Sequence, residues 1–143
     1  MDSFLSMPLS HARHNKKAFS FLQSSSNAKF YDWEVTTAFY SALHYVKAEL
    51  FPNQYESPVN GKIKKYNSFE SYYRDAKSKD SELNKHQVLL DLVEEYLQEI
   101  WDDYKTLKDN CWTARYDDYK IDPDIANLAS DCLTTIADLC EPN

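Results

Sequence analysis

The chain of 143 residues contains one glycine, Gly61. Glycine is the residue that adopts positive φ at little cost, and tight hairpin turns and phosphate-binding loops depend on it. A sequence with so little glycine therefore argues against an all-β fold and against a dinucleotide-binding fold of the Rossmann type.

Cysteine is also scarce, and its spacing indicates no site. The three cysteines are an odd number without any C-x-x-C pair: Cys111, Cys132 and Cys140. Disulfide frameworks need paired cysteines, and zinc knuckles need that close spacing. Histidines and carboxylates likewise do not recur at spacings that would complete a metal site. We therefore expect a reduced intracellular protein with no metal and no cofactor.

Long apolar runs are missing as well. No stretch approaches the ~18 apolar residues of a membrane-spanning helix. The opening residues, Met1 to Pro8, lack the basic flank and the apolar run of a signal peptide. These absences predict a cytoplasmic protein that makes no use of a membrane.

Hydrophobic residues make up 43% of the chain and aromatic residues 15%. At this length such a content is sufficient for one compact domain with a buried core. We therefore predict a single domain over residues 1–143.

Charge is segregated along the sequence. The formal net charge is −7, so the whole molecule should not bind nucleic acid as a generic cation. Basic residues prevail in His11–Lys29, with four against no acid, and in Val59–His86, with seven against four. Acidic residues prevail in Asp91–Asp124, with eleven against four. Two interpretations stay open: docking through opposite patches, onto a partner or a second copy, or ordinary solvated helix faces.

The segment Asp32–Leu50 predicts a helix that is buried on nearly every side. It has no formally charged side chain between Val35 and Val46, and its small residues would let neighbouring helices approach closely. Asp32 is the predicted N-cap, and Pro52 follows the predicted end. A helix that is apolar all round belongs at the centre of a bundle.

Three further helices complete the predicted fold. The first runs from Ser3 or Leu9 to Leu22, and the third from about Ser81 or Glu82 to Cys111. The last begins at Asp122-Pro123, an N-cap followed by proline in the first turn. Residues 52–80 form a long, irregular insertion between the second and third helices. We predict an all-α, up-and-down, four-helix-type bundle.

Three segments in fixed order resemble the HEPN family of small α-helical domains, in particular its stand-alone prokaryotic branch. They span roughly Ala12 to Tyr116 and are: Ala12–Asn15 with Phe19; Asp32-Trp33 with Ala38–Val46; and Tyr104 and Leu107 with Ala114–Tyr116. The resemblance implies a helical bundle that pairs into a homodimer. The family includes RNase toxins, effector subunits of antiviral defence systems and inactive relatives.

The chain departs from the catalytic pattern of that family. Active members carry an arginine followed by four to six residues and then a histidine, and two dimer-related copies form a metal-independent RNA-cleaving centre. The arginines here are Arg13, Arg74 and Arg115, and none has a histidine at that spacing. His86 also lacks the arginine expected three residues later in the stand-alone branch. We therefore expect a dimeric, non-catalytic subunit or regulator in a prokaryotic defence or toxin–antitoxin system.

The alternative is a divergent, metal-independent endoribonuclease of the same fold. His86 would transfer protons, since histidine titrates near neutral pH. Lys85, with Arg74 or Arg115 across a dimer, would neutralise the phosphate. An ordinary exposed His86 at a helix start is the competing interpretation, and His44 is expected to be a hydrogen-bonded core histidine.

Two basic clusters are candidates for binding an anion or nucleic acid. They are Arg13, His14 and Lys16 on the first helix, and Lys62, Lys64 and Lys65 in the insertion. Tyrosines beside the second cluster suit either base stacking or a protein interface, and we favour the interface. The expected partners are a second copy or another protein. RNA or a nucleotide is compatible with the family resemblance, although no phosphate loop supports nucleotide binding.

Overall fold

The computed structural model describes residues 6–25, 29–117 and 121–142. Within these ranges it contains six α-helices and one two-stranded sheet. The elements in chain order are α1 (Met7–Ser24), α2 (Tyr31–Leu50), β1 (Asn53–Glu56), β2 (Ile63–Tyr66), α3 (Phe69–Lys79), α4 (Lys85–Tyr96), α5 (Trp101–Trp112) and α6 (Pro123–Cys140). The prediction of a predominantly helical fold is confirmed.

Helix α2 lies at the centre of the molecule, as its apolar sequence predicts. Val35, Phe39 and Val46 are completely buried. Ser41 Oγ donates to the Ala12 carbonyl of α1 at 2.7 Å, which shows how small residues allow close helix approach. The predicted cap is wrong, however. The N-cap is Phe30, which makes no side-chain capping bond.

The predicted starts of the outer helices fare differently. Helix α1 begins at Met7 after Ser6, whose side chain accepts from the Leu9 amide. The prediction at Leu9 is therefore two residues late, and the earlier alternative at Ser3 lies outside the described residues. The cap of α6 is confirmed, since the Asp122 carboxylate accepts from the Ile125 amide at 3.0 Å.

The predicted third helix is wrong as one continuous element. The backbone leaves the helical region at Leu97, where φ is −128° and ψ is 52°, and a 3₁₀ turn, Gln98–Ile100, leads into α5. Val93 and Tyr104 on either side of this break are both fully buried. Helices α4 and α5 bury their apolar sides in the same core. The apolar residues therefore keep their helical spacing across the break, and no glycine or proline marks it in the sequence.

The insertion is more regular than the sequence indicates. Strands β1 and β2 pair antiparallel, with Asn53 opposite Tyr66 and Glu56 opposite Ile63. Gly61 lies in the connecting loop with φ of +74°, a conformation that glycine adopts without strain. Helix α3 follows the hairpin, and buried rings anchor the whole insertion to the end of α2: Phe51, Tyr55, Tyr66 and Phe69.

Candidate functional site

His86 lies in the first turn of α4 and is half-buried. The turn is fixed because the Asn84 side chain accepts from the Gln87 amide at 2.9 Å. The imidazole meets Trp112 edge-on, with 4.7 Å between ring centroids, and lies 6.0 Å from the Phe39 ring. Aromatic packing, rather than a carboxylate partner, therefore sets the orientation of this side chain.

The protonation of His86 follows from its surroundings. Burial lowers its pKa, and the ammonium groups of Lys108 and Lys47 lower it further. The imidazole is therefore neutral at pH 7. In that state it can accept a proton or a hydrogen bond, but it is a poor proton donor.

Arg115 is presented by a π-helical turn, Thr113–Asp117, that follows α5. Its Nη1 donates to the Tyr40 hydroxyl at 2.9 Å. Its guanidinium carbon lies 5.9 Å from the centroid of the Tyr40 ring and 5.6 Å from that of Tyr116. The cation is thus held by rings and a hydroxyl while staying exposed. No carboxylate in the described ranges forms a salt bridge with it.

Trp112 connects His86 with Arg115. Lys108 Nζ lies 5.3 Å from the centroid of the Trp112 ring, and Tyr116 packs against the same ring at 5.7 Å. No hydrogen bond joins His86 to Arg115 in the described part of the chain. Their proximity comes from the shared aromatic surface.

Lys85 and Arg74 extend this region toward α3. Lys85 Nζ lies 5.8 Å from the centroid of Tyr73, and both residues line a shallow depression with Arg74. Glu70 lines it too, and it pairs with Lys47 at 2.9 Å. Hence the structure brings Arg74 and Lys85 to one depression, which neither His86 nor Arg115 lines.

We refer to this region as the cationic face. It consists of Lys47, Lys85, His86, Lys108 and Arg115 with the rings of Tyr40, Tyr73, Trp112 and Tyr116. His86, Lys85 and Arg115 are predicted from the sequence, whereas Tyr40, Lys108 and Trp112 are not. The spacing of four residues between Lys108 and Trp112 was an available signal, because it stacks a cation on a ring along one helix face.

The predicted cluster on α1 has a different arrangement. Arg13 pairs through both Nε and Nη2 with the Glu141 carboxylate, which also accepts from the Tyr45 hydroxyl at 2.8 Å. His14 and Lys16 are exposed on α1. The anion that Arg13 holds is thus a side chain of the same molecule, and binding of an external anion by this cluster stays a prediction.

The predicted cluster in the insertion lies on the hairpin. Lys64 pairs with Asp75 at 3.2 Å and lies over the Tyr66 ring at 5.0 Å. Lys62 and Lys65 are exposed. Tyr55 and Tyr66 are buried supports of the hairpin, so base stacking by these two rings has no geometric support.

His44 is half-buried, and its ring meets that of His11 edge-on at 5.0 Å. Burial lowers the pKa of His44 to about 4, with Lys47 and His11 contributing in the same direction. The two histidines and Lys47 line a small pocket beside the cationic face. The expected hydrogen-bonded core histidine is in fact a neutral ring packed against another ring.

Other chemistries find little support in the described part of the chain. All three cysteines are buried, and burial raises the pKa values of Cys132 and Cys140 to about 12, so neither is a reactive thiolate. No group of three potential ligands converges there as a metal site. Nor does any described helix have the length and apolarity needed to cross a membrane.

Comparison of the chain with models of known families, with curated proteins and with solved structures yields no match. Its function is therefore inferred from the geometry and chemistry of the cationic face.

Proposed function

We propose that the protein is a HEPN-like helical domain that acts as a dimeric, non-catalytic subunit or regulator in a prokaryotic defence or toxin–antitoxin system. The segments that carry the resemblance pack directly on one another, which supports the proposal. Ser41 bonds to the Ala12 carbonyl, and Arg115 bonds to Tyr40.

The missing arginine-to-histidine spacing carries the non-catalytic part of the proposal, since no arginine of the chain is followed by a histidine at the spacing found in active members of the family. Metal-independent RNA cleavage needs a base for the 2′-hydroxyl and an acid for the leaving oxygen. His86 can serve as a base, but the nearby His44 is neutral as well, with its pKa lowered to about 4. Neither His86 nor His44 is therefore an imidazolium acid at neutral pH.

The chemistry of the cationic face supports binding of RNA or a nucleotide even where no RNA is cleaved. Lysine and arginine neutralise phosphates, and aromatic rings stack on bases in a sequence-tolerant way. The cationic face combines both kinds of group, although the chain as a whole carries a charge of −7. We propose that this face holds RNA or a nucleotide while the protein remains part of a larger complex.

The test is incubation of the purified chain with a mixed RNA pool in the presence of a chelator. We expect intact RNA and measurable binding, and Arg115→Gln should weaken that binding about tenfold. Lys17→Gln on α1 removes the same charge outside the cationic face and should change little. RNA cleavage that His86→Ala abolishes would contradict the non-catalytic proposal.

The dimeric part of the proposal has its own test. Static light scattering of the purified chain should show a species of twice the monomer mass. A strict monomer at high concentration would contradict this part and leave the RNA-binding part standing.

A divergent endoribonuclease is the second candidate. Contacts of His86 and Lys108 with the Trp112 ring, and of Arg115 with the adjoining Tyr116 ring, favour it, because a second copy could bring its Arg115 to a phosphate beside His86. In that case a mixture of His86→Ala and Arg115→Ala chains should recover part of the cleavage that each lacks alone. Cleavage that survives His86→Ala would exclude this residue as the catalytic base.

A further inference from the structure

A second recess lies between α3 and α4, beside the hairpin, and contains none of the cationic-face residues. Its cavity measures about 280 Å³. The floor is apolar and consists of Ala76 from α3, Leu83 from the connecting segment, and Val88 and Leu92 from α4. We refer to this recess as the acidic groove.

The rim of the acidic groove carries an excess of negative charge. Asp80, Asp91 and Glu95 are exposed there with one lysine, Lys79. Val88, Asp91, Leu92 and Glu95 follow the spacing of one helix face, so α4 presents apolar and acidic side chains together. The Asp91 carboxylate also accepts from Gln87 Nε2 at 2.9 Å, which holds it in place.

Aromatic rings lie beside the acidic rim. Tyr72 lines the groove, and the neighbouring Tyr55 ring lies 5.8 Å from Tyr72 and 4.9 Å from Tyr96. Burial raises the pKa of Tyr72, and Tyr96 and the carboxylates of Glu95 and Asp91 raise it further. Carboxylates beside ring faces are the usual setting for binding an organic cation.

We propose that the acidic groove docks a basic amphipathic peptide segment of a protein partner. An aliphatic side chain of the partner would occupy the floor, and flanking lysines or arginines would meet Asp91, Glu95 and Asp80. Charge complementarity selects this occupant, because the rim would repel RNA and acidic peptides. The inference rests on the part of the proposed function in which the chain works with a protein partner, and it does not depend on RNA binding.

The probe is a labelled, four-turn amphipathic helix made of leucine and lysine, titrated against the full chain by fluorescence anisotropy. We expect saturable binding that Asp91→Asn with Glu95→Gln weakens about tenfold. Asp131→Asn with Asp138→Asn removes the same charge from exposed positions on α6 and should change the affinity less than twofold. A peptide with glutamate in place of lysine should not bind.

Several outcomes would overturn the proposal. Equal weakening by both double variants would show nonspecific attraction to an acidic protein, and absence of binding at millimolar peptide would exclude the docking site. If Asp91→Asn with Glu95→Gln instead converts a dimer into a monomer in light scattering, the groove belongs to a second copy. The RNA-binding assay tests the cationic face, so an absence of RNA binding would leave the result of the peptide titration unaffected.

Discussion

Helix α4 separates two surfaces of opposite chemistry. Its first turn supplies Lys85 and His86 to the cationic face, and its later turns supply Asp91 and Glu95 to the acidic groove. The cationic face is held by rings that pack edge-on or tilted against Trp112, whereas the acidic groove is a recess with an aliphatic floor. Charge is thus segregated in space, although not by sequence segment, since Lys108 and Arg115 of the cationic face come from the acidic segment Asp91–Asp124. A net charge of −7 therefore does not describe either surface.

Removal of the ring beneath the cationic face should have the largest effect. Phe39 is fully buried and contacts Tyr40, His86, Tyr104 and Trp112. Phe39→Ala should lower the free energy of unfolding by about 3–5 kcal/mol, because truncation of the ring leaves a cavity among these side chains. Urea denaturation measures this.

The matched control is Phe21→Ala, since Phe21 is 65% exposed and should tolerate the change within about 0.5 kcal/mol. Similar stability of the two variants would show that the cationic face does not depend on the core beneath it. Packed aromatic rings would then not distinguish the cationic face from the acidic groove.

A lower pH should reduce the stability of the fold through His44. Burial holds the pKa of His44 at about 4, below its ordinary value of 6.5. Below pH 6.5 the unfolded chain gains a proton here while the folded chain stays neutral, so stability falls as the pH drops. Between pH 6.5 and 4.5 the loss should stay below about 2 kcal/mol, the value that the pKa difference gives over this range without screening, because solvent screens this half-buried imidazole in part.

Thermal melts across this range test the prediction in wild type and in His44→Gln, where this part of the slope should disappear. His14→Gln changes an exposed histidine and serves as the control. An unchanged slope in His44→Gln would assign the pH dependence to other groups.

The salt dependence of binding should distinguish RNA on the cationic face from the peptide in the acidic groove. Removal of one phosphate-binding cation reduces the slope of log K against log salt by about 0.7 for single-stranded RNA. Lys108→Gln should therefore flatten the slope for RNA by about that amount and weaken binding a few-fold, while leaving peptide affinity unchanged. Binding titrations at several salt concentrations give both slopes. A change in peptide affinity would show that the surfaces are coupled.

The smallest effects on stability should come from substitution of two buried tyrosines, one below the cationic face and one near the acidic groove. The Tyr104 hydroxyl has no hydrogen-bond partner among the described residues and lies below the cationic face, whereas the Tyr55 hydroxyl, on the groove side, donates to the Leu50 carbonyl. Tyr104→Phe should leave stability unchanged or slightly raised, and Tyr55→Phe should cost about 1 kcal/mol. Paired calorimetric melts measure the difference. Equal destabilisation would show that the Tyr104 hydroxyl has a partner in solution.

Parts of the fold follow from local sequence signals. The apolar run of α2 predicts its burial, and Asp122 with Pro123 predicts the start of α6. Local sequence signals do not predict the helix boundaries at Leu97 and Phe30. The break at Leu97 has no glycine or proline to mark it, and α2 begins at Tyr31, with Phe30 rather than Asp32 at the N-cap position.

The candidate site is predictable in its charges but not in its geometry. His86, Lys85 and Arg115 are recognisable as cations or proton carriers in the sequence. Tyr40 and Trp112 are not, because one lies in an apolar helix and the other lies twenty-six positions beyond His86. Only the packing of α2, α4 and α5 brings these rings together.

The most direct test of the central comparison is a pair of NMR titrations of the isotope-labelled full chain. One titrant is a short single-stranded RNA, and the other is the leucine–lysine peptide. RNA should shift the amide signals of His86, Lys108, Trp112 and Arg115, and the peptide should shift those of Ala76, Leu83 and Leu92. If both titrants shift the same amides, the molecule does not have two surfaces with opposite ligand preferences.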